Sequence, residues 1–215
     1  MAIRKYFREP FPGISHLVGV ILSIVALIVL LILAQGRFWH VVAFCIYGLS
    51  SIILFLASTL SHSLPVDANG EEKFSRFDRA AIFGLIAGTY TPICLLKIPQ
   101  PWGWGMLAVE WFLAILGILA TLFDFPRRRS IRTMLYVIMG WLSMFVLIPL
   151  RGADLPTPAL EWLFTGGILY TVGAVIFFTN WPNLWPKKFV AHDLWHVLVL
   201  LGSACFFVLI VRWVT

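Results

Sequence analysis

The chain has 215 residues, of which 60% are hydrophobic and only 12% charged, and its mean hydropathy is +0.93. A soluble domain carries roughly a quarter charged residues, so this composition excludes a water-soluble globule and implies a polytopic membrane protein. The net charge of +6 does not require a nucleic-acid partner, because the basic residues gather at the ends of apolar runs, where anionic headgroups attract them.

Crossing the hydrocarbon core takes about 20 mostly apolar residues per helix. The sequence predicts seven such helices, over 14–35, 39–60, 79–97, 103–123, 132–150, 159–180 and 189–213, joined by short polar connectors. The whole chain, 1–215, therefore reads as one all-α transmembrane bundle. The first run follows Arg4, Lys5 and Arg8 but is longer than the roughly 7–15 apolar residues of a signal peptide, so it is expected to remain as the first helix. The third contains Gly84 and Gly88, a small-xxx-small face suited to close approach within the bundle. Pro92 should kink that helix, with Thr89 or Thr91 taking up the freed carbonyl. Cys45, Cys94 and Cys205 lie singly inside apolar runs and read as packing residues. Trp39, Trp102 and Trp104 at one level, and Trp181 and Trp185 at the other, fit interfacial belts.

With seven spans, the N-terminus shares one side of the membrane with the connectors after helices 2, 4 and 6. Of the 16 Lys and Arg, all but Arg37, Lys97, Arg151 and Arg212 fall on that side, including the Arg127-Arg128-Arg129 cluster, which reads as a topology anchor. The positive-inside rule then predicts a cytoplasmic N-terminus and an external C-terminus.

This topology gathers the chemistry at one depth. Helix 2 ends on Ser58-Thr59-Leu60-Ser61-His62, helix 3 begins beyond Asp78, and helix 7 opens with His192 and His196, whose i,i+4 spacing puts both imidazoles on one face. Three histidines with an open position match a catalytic zinc site, so Zn2+ on His62, His192 and His196 is the expected cofactor. Asp78 suits the orientation and deprotonation of a water there. Ser58, one turn below His62, is expected either to hydrogen-bond water or substrate or to bond back to its own i−4 carbonyl. His192-Asp193-Leu194-Trp195-His196 echoes HExxH with the shorter Asp in place of Glu, which ranks Asp193 behind Asp78 as a base. His16 has no assigned role, and His40, in the outer connector, is not expected to bind metal.

At these residues the chain resembles the hemolysin III family of bacterial membrane proteins, within the progestin and adiponectin receptor group and distantly similar to alkaline ceramidases. The resemblance runs through Ser15-His16, Leu56 to His62, Phe77 to Ile82, Ala87 to Pro92, Met139-Gly140-Trp141 and His192 to His196. Glu9 matches an acidic family position, whereas Pro12, Ser61, Arg79 and Phe206 depart from the usual residues. The family pattern implies seven helices, a cytoplasm-side zinc on His62, His192 and His196, a water facing Asp78, and hydrolysis of lipid-like amides.

The leading expectation is thus a zinc-dependent hydrolase of a lipid amide or ester at the inner leaflet. The alternative is a non-enzymatic, metal-stabilised sensor or regulator of membrane state. An ion or proton transporter has less support, since the constellation lies at one end of the bundle and no inverted repeat is visible. Membrane lipids are the expected partners, with no nucleic acid, and oligomeric state is not specified by the sequence.

Overall fold

The computed structural model describes residues 8–125, 129–142, 144–147, 155–186 and 188–215. Among these, every element is helical apart from one isolated bridge between Trp185 and Phe189. The helices are α1 (Pro10–Ala34), α2 (Phe38–Ser63), α3 (Ala68–Leu96), α4 (Trp102–Leu122), α5 (Arg129–Trp141), the single turn α6 (Met144–Leu147), α7 (Thr157–Thr179) and α8 (Ala191–Trp213). Six of them, all but α5 and α6, are long and apolar enough to cross a membrane. The fifth expected span, 132–150, is divided between α5 and α6, and positions 143 and 148–150 lie outside the described residues. So do Arg4, Lys5, Arg127, Arg128, Arg151 and Lys187 of the charge partition.

Helix ends follow local chemistry. Pro10 opens α1 at a position where its missing N–H costs nothing. At the far end, Gln35 and Gly36 adopt positive φ, and the Arg37 guanidinium donates to the Leu33 and Ala34 carbonyls, closing the tight turn into α2. The expected start of the third helix at residue 79 is corrected to Ala68. Asp67 Oδ1 accepts from Gly70 N at 2.8 Å, and Arg76 pairs with Glu72 at 2.9 Å one turn away, so the helix continues through a polar segment that hydropathy alone does not read as helical. At α8, Asp193 accepts from Val190 N at 2.8 Å and Asn183 Oδ1 from Ala191 N at 3.0 Å, satisfying two first-turn donors.

Consecutive helices pack as antiparallel neighbours from α1 to α4, α7 packs on α8, and α8 returns against α1. α3 is the central element, 72% buried across its apolar window against 22% for α1, whose outer face carries Ile21, Leu22, Val25, Ile28 and Ile32. One core cluster joins Phe83, Ala87, Tyr90 and Ile93 of α3 to Met106 and Ala114 of α4, Met139 of α5, Leu163 of α7 and Leu209 of α8. A smaller one, Leu54, Phe55, Ala57, Ala81, Leu85 and Val199, holds α2, α3 and α8 together just below the histidines.

Two expectations about α3 need correction. Thr89 and Thr91 donate to Leu85 O and Ala87 O at 2.8 and 2.9 Å, so neither takes up the Gly88 carbonyl that Pro92 leaves without its helical donor. Of the two small residues, only Gly88 makes a close approach: an added Cβ would overlap the Ser50 side chain of α2, whereas at Gly84 it would meet nothing. Gly88→Ala is therefore expected to cost about 1–3 kcal/mol through overpacking, while Gly84→Ala causes no loss. Thermal unfolding of the two variants in the same detergent compares them directly, and equal midpoints would refute the α2–α3 contact.

Candidate metal centre

Four helices deliver side chains to one end of the bundle. His62 stands one residue from the end of α2, His192 and His196 lie in the first turns of α8, His16 comes from the second turn of α1, and Asp78 comes from α3. One ligand nitrogen from each of His62, His192 and His196 lies within 4.8 Å of the others. His192 Nε2 and His196 Nε2 are 3.4 Å apart. Two nitrogens held about 2.0–2.1 Å from one ion at tetrahedral angles lie roughly 3.3 Å apart, so this pair already has the spacing of two corners of a metal site.

The neighbouring groups set which nitrogens face the centre. Glu9, immediately before α1, approaches His62 Nδ1 at 2.7 Å and His192 Nδ1 at 3.7 Å. The hydrogen bond from His62 holds the Glu9 carboxyl below the usual carboxylate range, so it acts as an acceptor and Nδ1 carries the proton. In the neutral ring, His62 Nε2 then presents a lone pair. That atom is buried and has no hydrogen-bond partner, which is an expensive arrangement unless a cation takes the lone pair. His196 Nδ1 lies 2.9 Å from His16 Nε2. With Nδ1 as the donor, His196 also aims its Nε2 lone pair inward; the reverse direction, a run of N–H donors from His16 through His196 to His192, is the arrangement of a metal-free centre. The buried orphan nitrogen, the spacing and the outer hydrogen bonds together fit a bound transition metal.

Asp78 Oδ2 is 3.8 Å from His62 Nε2, too far for a hydrogen bond and suited to acting through a small molecule between them. Ser58 is buried beside the Asp78 carboxyl. It does not bond back to Leu54, unlike Thr59, which donates to Phe55 O at 2.7 Å; its Oγ completes no hydrogen bond of good geometry. Of the two roles expected for Ser58, the inward-facing one is the role the geometry leaves open. Asp193 is a helix cap.

Sequence reasoning placed His62, Asp78, His192 and His196 at one depth, and the structure brings them together. It left His16 without a role and noted Glu9 only through the family resemblance. Glu9 lies on the polar flank of the first span, where an acidic residue beside Arg4, Lys5 and Arg8 is the available signal, whereas His16 lies inside the span near its start.

From the histidines a cavity of about 110 Å3 runs between α3, α5, α7 and α8. His16, Ser58, Asp78, Arg79, His192 and His196 line one end, and Ile86, Val199 and Phe206 belong to its apolar wall. A smaller cavity of about 30 Å3 shares Tyr90, Trp141 and Phe206 with it and reaches Ile98 beyond the far end of α3.

A bundle of apolar helices with a histidine cluster at one end defines a multi-pass membrane protein with a candidate metal centre. The family model described as Haemolysin-III related matches residues 4–207, and the chain belongs to that family. It is 44% identical to Hemolysin-3 of Bacillus cereus over 91% of this chain and 86% of that protein. It is 39% identical to a Hemolysin-3 homolog of Bacillus subtilis over 91% and 89%. More distantly, it is 26% identical to the monocyte to macrophage differentiation factor of Homo sapiens, over 77% of this chain and 68% of that protein.

If Glu9 and His16 orient the rings, Glu9→Gln and His16→Ala should each weaken binding of zinc, used as the probe ion, by about 10–100-fold. Titration against a competing chelator measures this. Unchanged affinity in both variants would show that packing alone aims the imidazoles.

Proposed function

We propose that this protein is a zinc-dependent hydrolase embedded in the bacterial inner membrane, acting on an amide or ester bond of a lipid-like substrate at the cytoplasmic leaflet. The observation that carries the reading is a three-histidine cluster with one carboxylate and one inward-facing hydroxyl at the end of an apolar cavity. His62, His192 and His196 are the proposed zinc ligands, and Asp78 and Ser58 the catalytic residues. The same reading takes 1–215 as a single seven-span domain with the N-terminus inside and the C-terminus outside, as the distribution of Lys and Arg supports.

Zinc at this position supplies an electrophile that polarises a carbonyl and acidifies water. Glu9 and His16 hold the ligand rings. Asp78 removes the proton from the attacking water as its oxygen bonds to the carbonyl carbon, and returns that proton to the departing amine or alcohol as the C–N or C–O bond breaks. Ser58 donates to the oxygen on which negative charge develops. The apolar wall between α3, α5, α7 and α8 keeps bulk water out and accommodates an acyl chain.

One feature favours a second reading, that of a metal-stabilised sensor or regulator of membrane state: the histidines join α2 to α8, so an ion on them staples two distant parts of the chain. The two readings diverge at Asp78. Asp78→Asn should keep most of the zinc yet abolish release of fatty acid from lipid amides or esters, whereas His62→Ala should strip the metal and lower thermal stability. Metal content by elemental analysis and product release by mass spectrometry check both. Full function in Asp78→Asn would favour the regulator, and a full equivalent of zinc on His62→Ala would refute the ligand set.

The topology has its own test. Reporter fusions are expected to place the N-terminus in the cytoplasm and the C-terminus outside; termini on the same side would remove the seven-span arrangement.

A further inference from the structure

The cavity end beside the histidines carries a cation that the proposed reaction does not use. Arg79, the neighbour of Asp78 on α3, lines the cavity. Its guanidinium is held from the polar side, with Nη1 donating to Ser75 Oγ and Nη2 to Glu72 Oε1 at 3.1 Å. Its backbone is pinned by Tyr136, whose hydroxyl donates to the Arg79 carbonyl at 2.8 Å. Nε, however, is buried and donates to no acceptor. An arginine serving only as a topology anchor keeps its nitrogens in headgroup water; here one N–H of the cation is withdrawn from water and left unsatisfied.

The charge is not closed off either. Glu72 is divided between two guanidiniums, accepting from Arg76 Nε at 2.9 Å as well as from Arg79, and is itself half exposed. Asp78 lies 3.8 Å from His62 and offsets only part of the Arg79 charge, since it is shared with His62 and Ser58. The apolar cavity thus ends on a fixed, partly uncompensated cation adjacent to the candidate metal centre. The group that would satisfy it is an oxyanion, because the guanidinium fork matches carboxylate and phosphate oxygens and such charge-assisted bonds are strong.

We propose that Arg79 is the headgroup-recognising residue of this cavity and selects acyl lipids carrying one oxyanionic group, carboxylate or phosphate, over neutral ones. The inference rests on the proposed reading of the cavity as the seat of a lipid chain. It adds the charge class of the molecule that binds, and it concerns binding rather than the chemical step.

Three congeners with one acyl chain test it: N-palmitoylglycine, N-palmitoyl-phosphoethanolamine and N-palmitoylethanolamine, titrated into the full-length protein and followed by tryptophan fluorescence. The wild type is expected to bind at least one anionic congener about tenfold more tightly than the neutral one, and the tighter of the two separates carboxylate from phosphate recognition. Arg79→Gln should lose that preference while retaining its affinity for the neutral congener, which also reports an intact cavity. Glu72→Gln, which leaves Arg79 less compensated, should increase the preference and provides a second test should Arg79→Gln not fold. Equal binding of all three lipids by the wild type, a preference that survives Arg79→Gln, or a preference reduced by Glu72→Gln would each overturn the assignment. The two readings fail separately: anionic preference without palmitate release removes the hydrolase and leaves Arg79 in place, whereas palmitate release without headgroup preference does the reverse.

Discussion

The hydrogen bond from His62 Nδ1 to Glu9 is the constraint on which the site depends. An acceptor outside the ring fixes the proton on Nδ1 and forces the opposite nitrogen, with its lone pair, into a space where no protein donor meets it. A hydrocarbon-embedded protein tolerates few such unsatisfied groups, since no water is at hand to compensate them. The placement of α1 follows from the same requirement: Glu9 must arrive at the end of α2, and its own N–H donates to the His62 carbonyl at 2.9 Å, so backbone and side chain are tied at the same point.

Much of the architecture was legible because membranes simplify the reading. Apolar runs mark the six long helices, and the histidine spacing in α8 puts two imidazoles on one face. What hydropathy does not report is helix outside the apolar layer. The first three turns of α3 are built from Asp67, Glu71, Glu72 and Arg76, whose cap and ion pairs stabilise helix where the hydropathy is low. Asp193 shows the converse difficulty: a residue in a metalloprotease-like spacing serves the backbone, because a helix N-terminus beside Val190 supplies a donor that a short carboxylate reaches easily. The partners of the metal-site candidates were hidden for another reason. His16 and His196 are 180 residues apart, and no local pattern encodes a contact at that separation.

The cavity connects polar and apolar chemistry in a way that composition cannot show. Its walls come from α3, α5, α7 and α8, with histidines, Asp78 and Arg79 at one end and Ile86, Val199 and Phe206 among its apolar lining. An amphiphile is the molecule that matches such a space, with its chain among the apolar residues and its polar group among the charged ones. Gly140, where an added Cβ would meet nothing, and Gly167, where it would come within 3.7 Å of the Trp141 ring, both line that cavity.

The cluster draws on both ends of the chain, and that has a consequence for biosynthesis. At about 5–20 residues per second, the ribosome takes roughly 7–27 s to travel from His62 to His196. For most of that interval Glu9, His16, His62 and Asp78 are already made while the α8 histidines are still absent. The three-imidazole cluster therefore exists only after the last helix has entered the membrane and docked on α1. A nascent chain that ends before α8 carries one histidine of the three, so the candidate metal centre is a property of the finished molecule alone.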